Sequence, residues 1–157
     1  MIQVNDFQEE HAKRLAESFK LVTGRDLVIP SIRSAQNEGS LGTQLFNAPF
    51  VVVSHNGGPD PILNYGNQVA LDLWEMGWND FIGTPSRHTA ESEYREDRAV
   101  MLEQARKKGF IDNYEGIRIS STGRRFKINS AIIWAVPTIG SDRDGQAATF
   151  SNWKFLD

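Results

Sequence analysis

The chain contains no cysteine. That absence removes disulfides, thiolate nucleophiles, iron–sulfur clusters and covalently attached haem. No apolar run approaches the roughly 20 residues of a membrane helix, so no membrane partner is expected. The opening "MIQVNDFQEE" lacks the basic, apolar, then small-residue order of an export signal. With neither that signal nor cysteine, a cytoplasmic setting is expected. Charge of one sign is not concentrated either: 17 Lys and Arg against 20 Asp and Glu leave a net −3. Duplex-binding proteins carry a basic stripe, and here the bases are scattered, so nucleic acid is not an expected partner. There is no nucleophile elbow, P-loop, dinucleotide fingerprint or zinc-protease motif. The three histidines, His11, His55 and His88, stand at no metal-ligand spacing, and neither metal nor cofactor is expected.

What is present fits one domain with its own core: 157 residues, 39% hydrophobic and 24% charged. Phe7, His11, Leu15, Phe19 and Val22 recur at helical spacing, so a helix is predicted over Asn5–Val22. Asp6 and Glu9 read as its capping box and Gly24 as its stop. A polar connector follows from Pro30 to Ala48, with a helical turn expected over Leu41–Phe46. "PFVVVSHN" is β-branched and runs into the turn-rich "GGPDP", after which "ILNY" resumes extended structure. Asn67 has the chemistry of an N-cap for the next helix, which Gly77 is expected to end; Asp80 and Gly83 bound a further short turn. A long helix is predicted from about Thr89 to Lys108, closed by Gly109. From Phe110 the period changes to two. Strands over "FIDNYEGIRIS" and "RRFKINSAIIWAV", joined by "STGR", precede a last strand over "QAATFSNWKFL". Strands at the two ends and helices between favour an α+β fold on one antiparallel sheet.

The asparagine-capped helix after an early hairpin, the Gly–x5–Gly connector, the long helix and the final meander resemble a PAS domain over roughly Pro49–Phe155. More narrowly, "SHNGGPDPILNYGNQVALDLWEM", "PSRHTAE", "GFIDNYEGIRISSTGRRFKI" and "GQAATFSNWKFL" are similar to the PAS-related MEKHLA domain family, in its stand-alone bacterial form. The resemblance implies a five-stranded antiparallel sheet cupped by helices, with an extra N-terminal helix. It implies a single domain over 1–157, with helix and connector in 1–48 and the PAS core in 49–157. The family is also known as the C-terminal part of plant homeodomain–leucine zipper regulators, but this chain carries neither of those segments. Flavin-binding light sensors, a PAS subgroup, use a photoreactive cysteine that cannot exist here.

Candidate site residues follow from chemistry and from that implied cup. A guanidinium is costly to bury unpaired, so an inward Arg87, Arg98 or Arg118 needs a carboxylate or an anionic ligand. Internal partners on offer are Glu91, Glu75 and Asp72. Tyr114, Gly116 and Arg118 share one face of their strand, and Ile117 and Ile119 the other. If the first face looks inward, Gly116 leaves room and Arg118 points a positive fork into a low-dielectric space. Arg87 and His88, just before the long helix, are placed at the pocket mouth. Trp74, Trp134 and Tyr114 are candidate pocket walls, and the remaining aromatics are core. The expected function is a non-catalytic sensory module that binds a small anionic or aromatic molecule in the cup. The alternatives are a small enzyme using Arg87, His88 and Tyr114 in the same pocket, or a dimerisation module. A homodimer through Phe7, Leu15, Phe19 and Val22 of the first helix is expected, because that face needs a cover.

Overall fold

The computed structural model describes residues 3–28, 40–90, 99, 100, 103, 107, 109–137 and 144–156. Helix α1 (Asp6–Thr23) starts from Asn5, whose extended backbone lets its side chain accept from the Gln8 N–H at 2.8 Å. The Gln8 side chain accepts in return from the Asn5 N–H at 2.9 Å. The capping box therefore sits one residue before the expected Asp6–Glu9 pair. Glu9 is left to reach the next helix, α2 (Leu41–Phe46), where its carboxylate accepts from the Gly42 N–H at 3.0 Å and from the Ser40 hydroxyl.

Strands β1 (Val51–His55) and β2 (Leu63–Gly66) form the early hairpin. Helices α3 (Gln68–Trp74) and α4 (Trp78–Phe81) and a 3-10 turn (Ser86–Thr89) follow. Strands β3 (Phe110–Ile119), β4 (Arg125–Val136), β5 (Gly145–Phe150) and β6 (Asn152–Phe155) complete the sheet. Its order is β2-β1-β5-β4-β3, antiparallel, with β6 also on β4. The last predicted strand is thus broken at Ser151. β5 pairs with Ile132–Val136 and β6 with Phe126–Asn129, on either side of Ser130, whose left-handed backbone (φ 54°) kinks β4.

Helix α3 ends on the left-handed Glu75 (φ 59°), and Gly77 serves as the N-cap of α4 and not as the stop of α3. A helix from Thr89 is not formed at its start: Thr89 closes the 3-10 turn and Ala90 is extended. Ala99, Val100, Glu103 and Lys107 are helical, and the rest of that predicted helix lies outside the described residues.

The two sheet faces are covered differently. α1 lies on the outer face, where Phe19 meets Trp134 edge-on at 4.8 Å and His11 stacks between Phe7 and Tyr65, each at 5.5 Å. Leu15 and Phe19 are buried there, each such side chain contributing about 1.5–3 kcal/mol. The apolar face on which the dimer expectation rested is therefore largely covered within the chain: Phe7 remains half exposed and Val22 half-buried. Among the described residues no helix is long and apolar enough to cross a membrane.

Asn67 anchors the inner side. Its side-chain oxygen accepts from Ala70 N–H at 3.3 Å, capping α3, and from Val52 N–H at 3.1 Å. Its amide nitrogen donates to Leu45 C=O at 3.2 Å and Phe50 C=O at 2.8 Å, and the residue is fully buried. A simple cap is worth about 1 kcal/mol. Because Asn67→Ala also strands buried backbone partners, it is expected to cost roughly 3 kcal/mol in urea unfolding. Asn67→Asp is expected to cost more, since a carboxylate would face the Leu45 and Phe50 carbonyls.

Burial, with the Arg14 charge adding to it, lowers the His11 pKa to about 4. Between the ordinary value near 6.5 and about 4, the unfolded chain binds a proton that the folded chain does not. Stability is therefore present above that window and lost as pH falls through it, by up to about 3 kcal/mol. Chemical denaturation at pH 7 and pH 4.5 checks this; His11→Phe, which preserves the stacking, is expected to flatten the difference.

Candidate functional site

Strand alternation decides what faces the cup. Tyr114 pairs with Ala131, Gly116 with Ile128 and Arg118 with Phe126, so all three β3 residues look inward, as their spacing requires. From β1 and β5, Val53, His55, Gln146, Ala148 and Phe150 join them. Leu63, Trp74 of α3, Phe81 of α4 and Thr89 of the 3-10 turn complete an enclosure of about 60 Å³. Gly66, opposite Val53, has no side chain because a Cβ there would come within 2.7 Å of the Phe81 ring.

The wall is mostly apolar, with His55, Gln146 and Thr89 among its polar residues and a guanidinium at Arg118. Tyr114 and Arg118 are 8% and 7% exposed, and the Arg118 guanidinium donates through Nη2 to Tyr114 Oη at 2.9 Å. Through Nη1 it donates to the Ile117 carbonyl at 2.8 Å, and its Cζ lies 5.6 Å from the Tyr114 ring centroid. Residues four apart on a strand meet here because Gly116 lies between them. A Cβ at Gly116 would come within 2.5 Å of Tyr114 Oη and 3.0 Å of Arg118 Nη1.

No carboxylate of the described residues pairs with Arg118. The expected internal partners are occupied: Asp72 accepts from Gln68 at 2.8 Å, and Glu75 accepts from Ser120 at 2.6 Å and from Thr122. Those hydroxyls hold the Glu75 carboxyl below the usual range. With Ser121 bonded to the Trp74 and Glu75 carbonyls at 3.0 and 2.6 Å, they clamp the end of α3 to the β3–β4 hairpin. Glu91 lies outside the described residues.

Of the seven residues expected at the site, Trp74, Tyr114 and Arg118 are brought together. Arg87 and His88 are not in the lining. Both are exposed on the 3-10 turn, where Arg87 grips Asp60 at 2.6 and 2.7 Å and Thr89 takes the inward position. Trp134 is on the outer face, its indole N–H donating to Ser18 at 2.9 Å. Arg98 lies outside the described residues. His55 and Gln146 were not anticipated on the wall. The Nδ1 of His55 accepts from Gly57 N–H at 3.0 Å, while its ring still borders the cup. The cross-strand register of β1 and β5 is the signal that places both.

A second, larger space of about 140 Å³ borders α1, where His11 Nε2 is 2.9 Å from Ser54 Oγ, which donates to Asn64 at 2.5 Å. No group of three metal-ligating side chains occurs among the described residues. The inner cup is well below the roughly 300–1,000 Å³ of sites for larger ligands.

Residues 9–155 match the MEKHLA domain family. No curated protein matches the chain by sequence. Among solved structures, a PAS domain of a Colwellia psychrerythraea protein is similar with a TM-score of 0.59 at 12% identity, over 73% of this chain and 92% of that one. A PAS domain from a two-component sensor histidine kinase gives a TM-score of 0.55 at 14% identity, over 73% and 91%. The PAS domain, in complex with ethanol, of a LuxR-family transcriptional regulator from Burkholderia thailandensis gives 0.53 at 15%, over 73% and 95%. The fold is PAS.

A buried charge without a counter-charge opposes folding, and a guanidinium cannot escape the cost by losing its proton. Arg118→Met, of similar reach, is therefore expected to raise the melting temperature of the ligand-free protein by about 2–4 °C. A drop in the thermal scan would mean that Arg118 is a structural residue.

Proposed function

From a chain that belongs to the MEKHLA domain family and carries the PAS fold, we propose a non-catalytic sensory module that takes a small molecule into the cup between sheet and helices. The observation that carries this reading is Arg118: buried, aimed inward beside Tyr114, and paired with no carboxylate among the described residues. A charge held at a cost to stability points to a role in binding. The apolar remainder of the wall, with few orienting donors, has the make-up of a binding pocket. An enzyme in this pocket was to use Arg87, His88 and Tyr114, and only Tyr114 reaches the cup.

The test is a thermal-shift screen with neutral, cationic and anionic compounds of up to about five non-hydrogen atoms, smaller than the benzene that a 150 Å³ cavity takes up. At least one is expected to raise the melting temperature saturably, and Ala131→Leu, which fills the cup, is expected to abolish that rise. No saturable shift from any compound would end the ligand-binding reading.

A further inference from the structure

We propose that the ligand of this cup is a short-chain monocarboxylate, its carboxylate held by Arg118 and Tyr114 and its tail against the apolar wall. This rests on the sensory-module reading and narrows it to one chemical class.

The donor set fixes the head group. Arg118 has five N–H donors and uses two, on Tyr114 Oη and the Ile117 carbonyl, leaving three. Tyr114 Oη accepts from Arg118, and its own proton has no acceptor among the described residues. Trp74, also on the wall, has a buried indole N–H with no acceptor. The unused groups of Arg118, Tyr114 and Trp74 are donors, which calls for a group that accepts. A carboxylate matches the planar guanidinium fork with two parallel bonds.

Charge and size fix the rest. One guanidinium balances one negative charge. A second carboxylate would be buried against Val53, Leu63, Ile133 and Phe150, where it would have no cation. About 60 Å³ is less than half the 150 Å³ cavity that takes up benzene, so the ligand is smaller than benzene, at about four or five non-hydrogen atoms. Acetate and propionate fall in that range, and butyrate, with as many non-hydrogen atoms as benzene, lies beyond it. The aromatic acids that a charged, aromatic-lined pocket would otherwise suit are too large.

Tyr114 and Arg118 are also placed to set direction. Gly116 lets their side chains close over it, which pins the guanidinium plane at one end of the cup. The tail then extends toward Ala131 and Ala148, the small residues of the wall.

Titration calorimetry at constant ionic strength in a carboxylate-free buffer tests this with the full chain. Sodium acetate, propionate and butyrate are compared with the neutral propionamide and 1-propanol and with nitrate and phosphate. Propionate is expected to bind at least tenfold more tightly than its neutral analogues. Arg118→Met is expected to weaken it at least tenfold, and Arg118→Lys, which keeps the charge but loses the fork, to weaken it as well. Tyr114→Phe is expected to cost about three- to tenfold. Thermal unfolding of each variant confirms that it is folded. If the neutral analogues bind as well as propionate, or Arg118→Met binds it unchanged, the carboxylate assignment is wrong while the small-molecule cup stands. Tighter binding of nitrate or phosphate overturns the carboxylate class in favour of an inorganic anion. If none of these compounds binds, the carboxylate assignment falls, and the broader screen decides whether the cup takes a neutral or cationic molecule.

Discussion

One buried amide ties the inner side of this fold together. Asn67 is bonded at once to the first turn of α3, to the backbone of β1 and to the segment joining α2 to β1. Those contacts set where α3 leaves the sheet, and so where Trp74 meets Phe126 (5.2 Å) and Phe81 (6.1 Å). At its far end α3 is clamped to the β3–β4 hairpin through Glu75. A helix fixed at both ends cannot settle fully onto the sheet, and the space beneath it is the cup.

Into that space the chain places a charge that folding alone would not favour. Packing on the outer face is built on α1 over Trp134, Tyr65 and their neighbours, with the His11–Ser54–Asn64 bonds beside it. Packing on the inner face is interrupted by Gly116 and by the Tyr114–Arg118 pair. The difference between the two faces separates a structural role for the first from a binding role for the second. Similarity to other PAS domains at 12–15% identity extends to the fold, and the chemistry of the cup has to be read from this chain's own residues.

Much of this was legible in the sequence where a local rule applied. Asn67 could be identified as a cap because an extended run ends there and a helical period begins. Simple alternation grouped Tyr114, Gly116 and Arg118 on one face of β3, and the pairing with β4 turns that face inward. Trp134 shows how one residue defeats that rule. Counted in twos, Phe126, Ile128, Ser130, Ile132 and Trp134 share a face, which puts Trp134 inside. The left-handed Ser130 inserts a bulge, so Ala131 and Ile133 follow Ile128 inward and Trp134 turns out to α1. A serine at positive φ is uncommon and carries no sequence mark. Arg87 and His88, expected at the mouth, lie on a 3-10 turn after Pro85 that leaves both exposed and turns Thr89 toward the cup. His55 and Gln146 needed the pairing of β1 with β5, a non-local register that no short window contains.

The central claim is that the Arg118 guanidinium is held in the cup for an anionic partner, and its own N–H resonances report on that directly. In ¹H–¹⁵N NMR of protein freed of small acids, the Arg118 Nε–H and Nη–H signals, assigned by their loss in Arg118→Met, are expected to shift saturably on addition of propionate. Hydrogen exchange at those sites is expected to slow as the new bonds form. Signals that neither move nor slow, under conditions where other resonances of the cup respond to propionate, would contradict the claim.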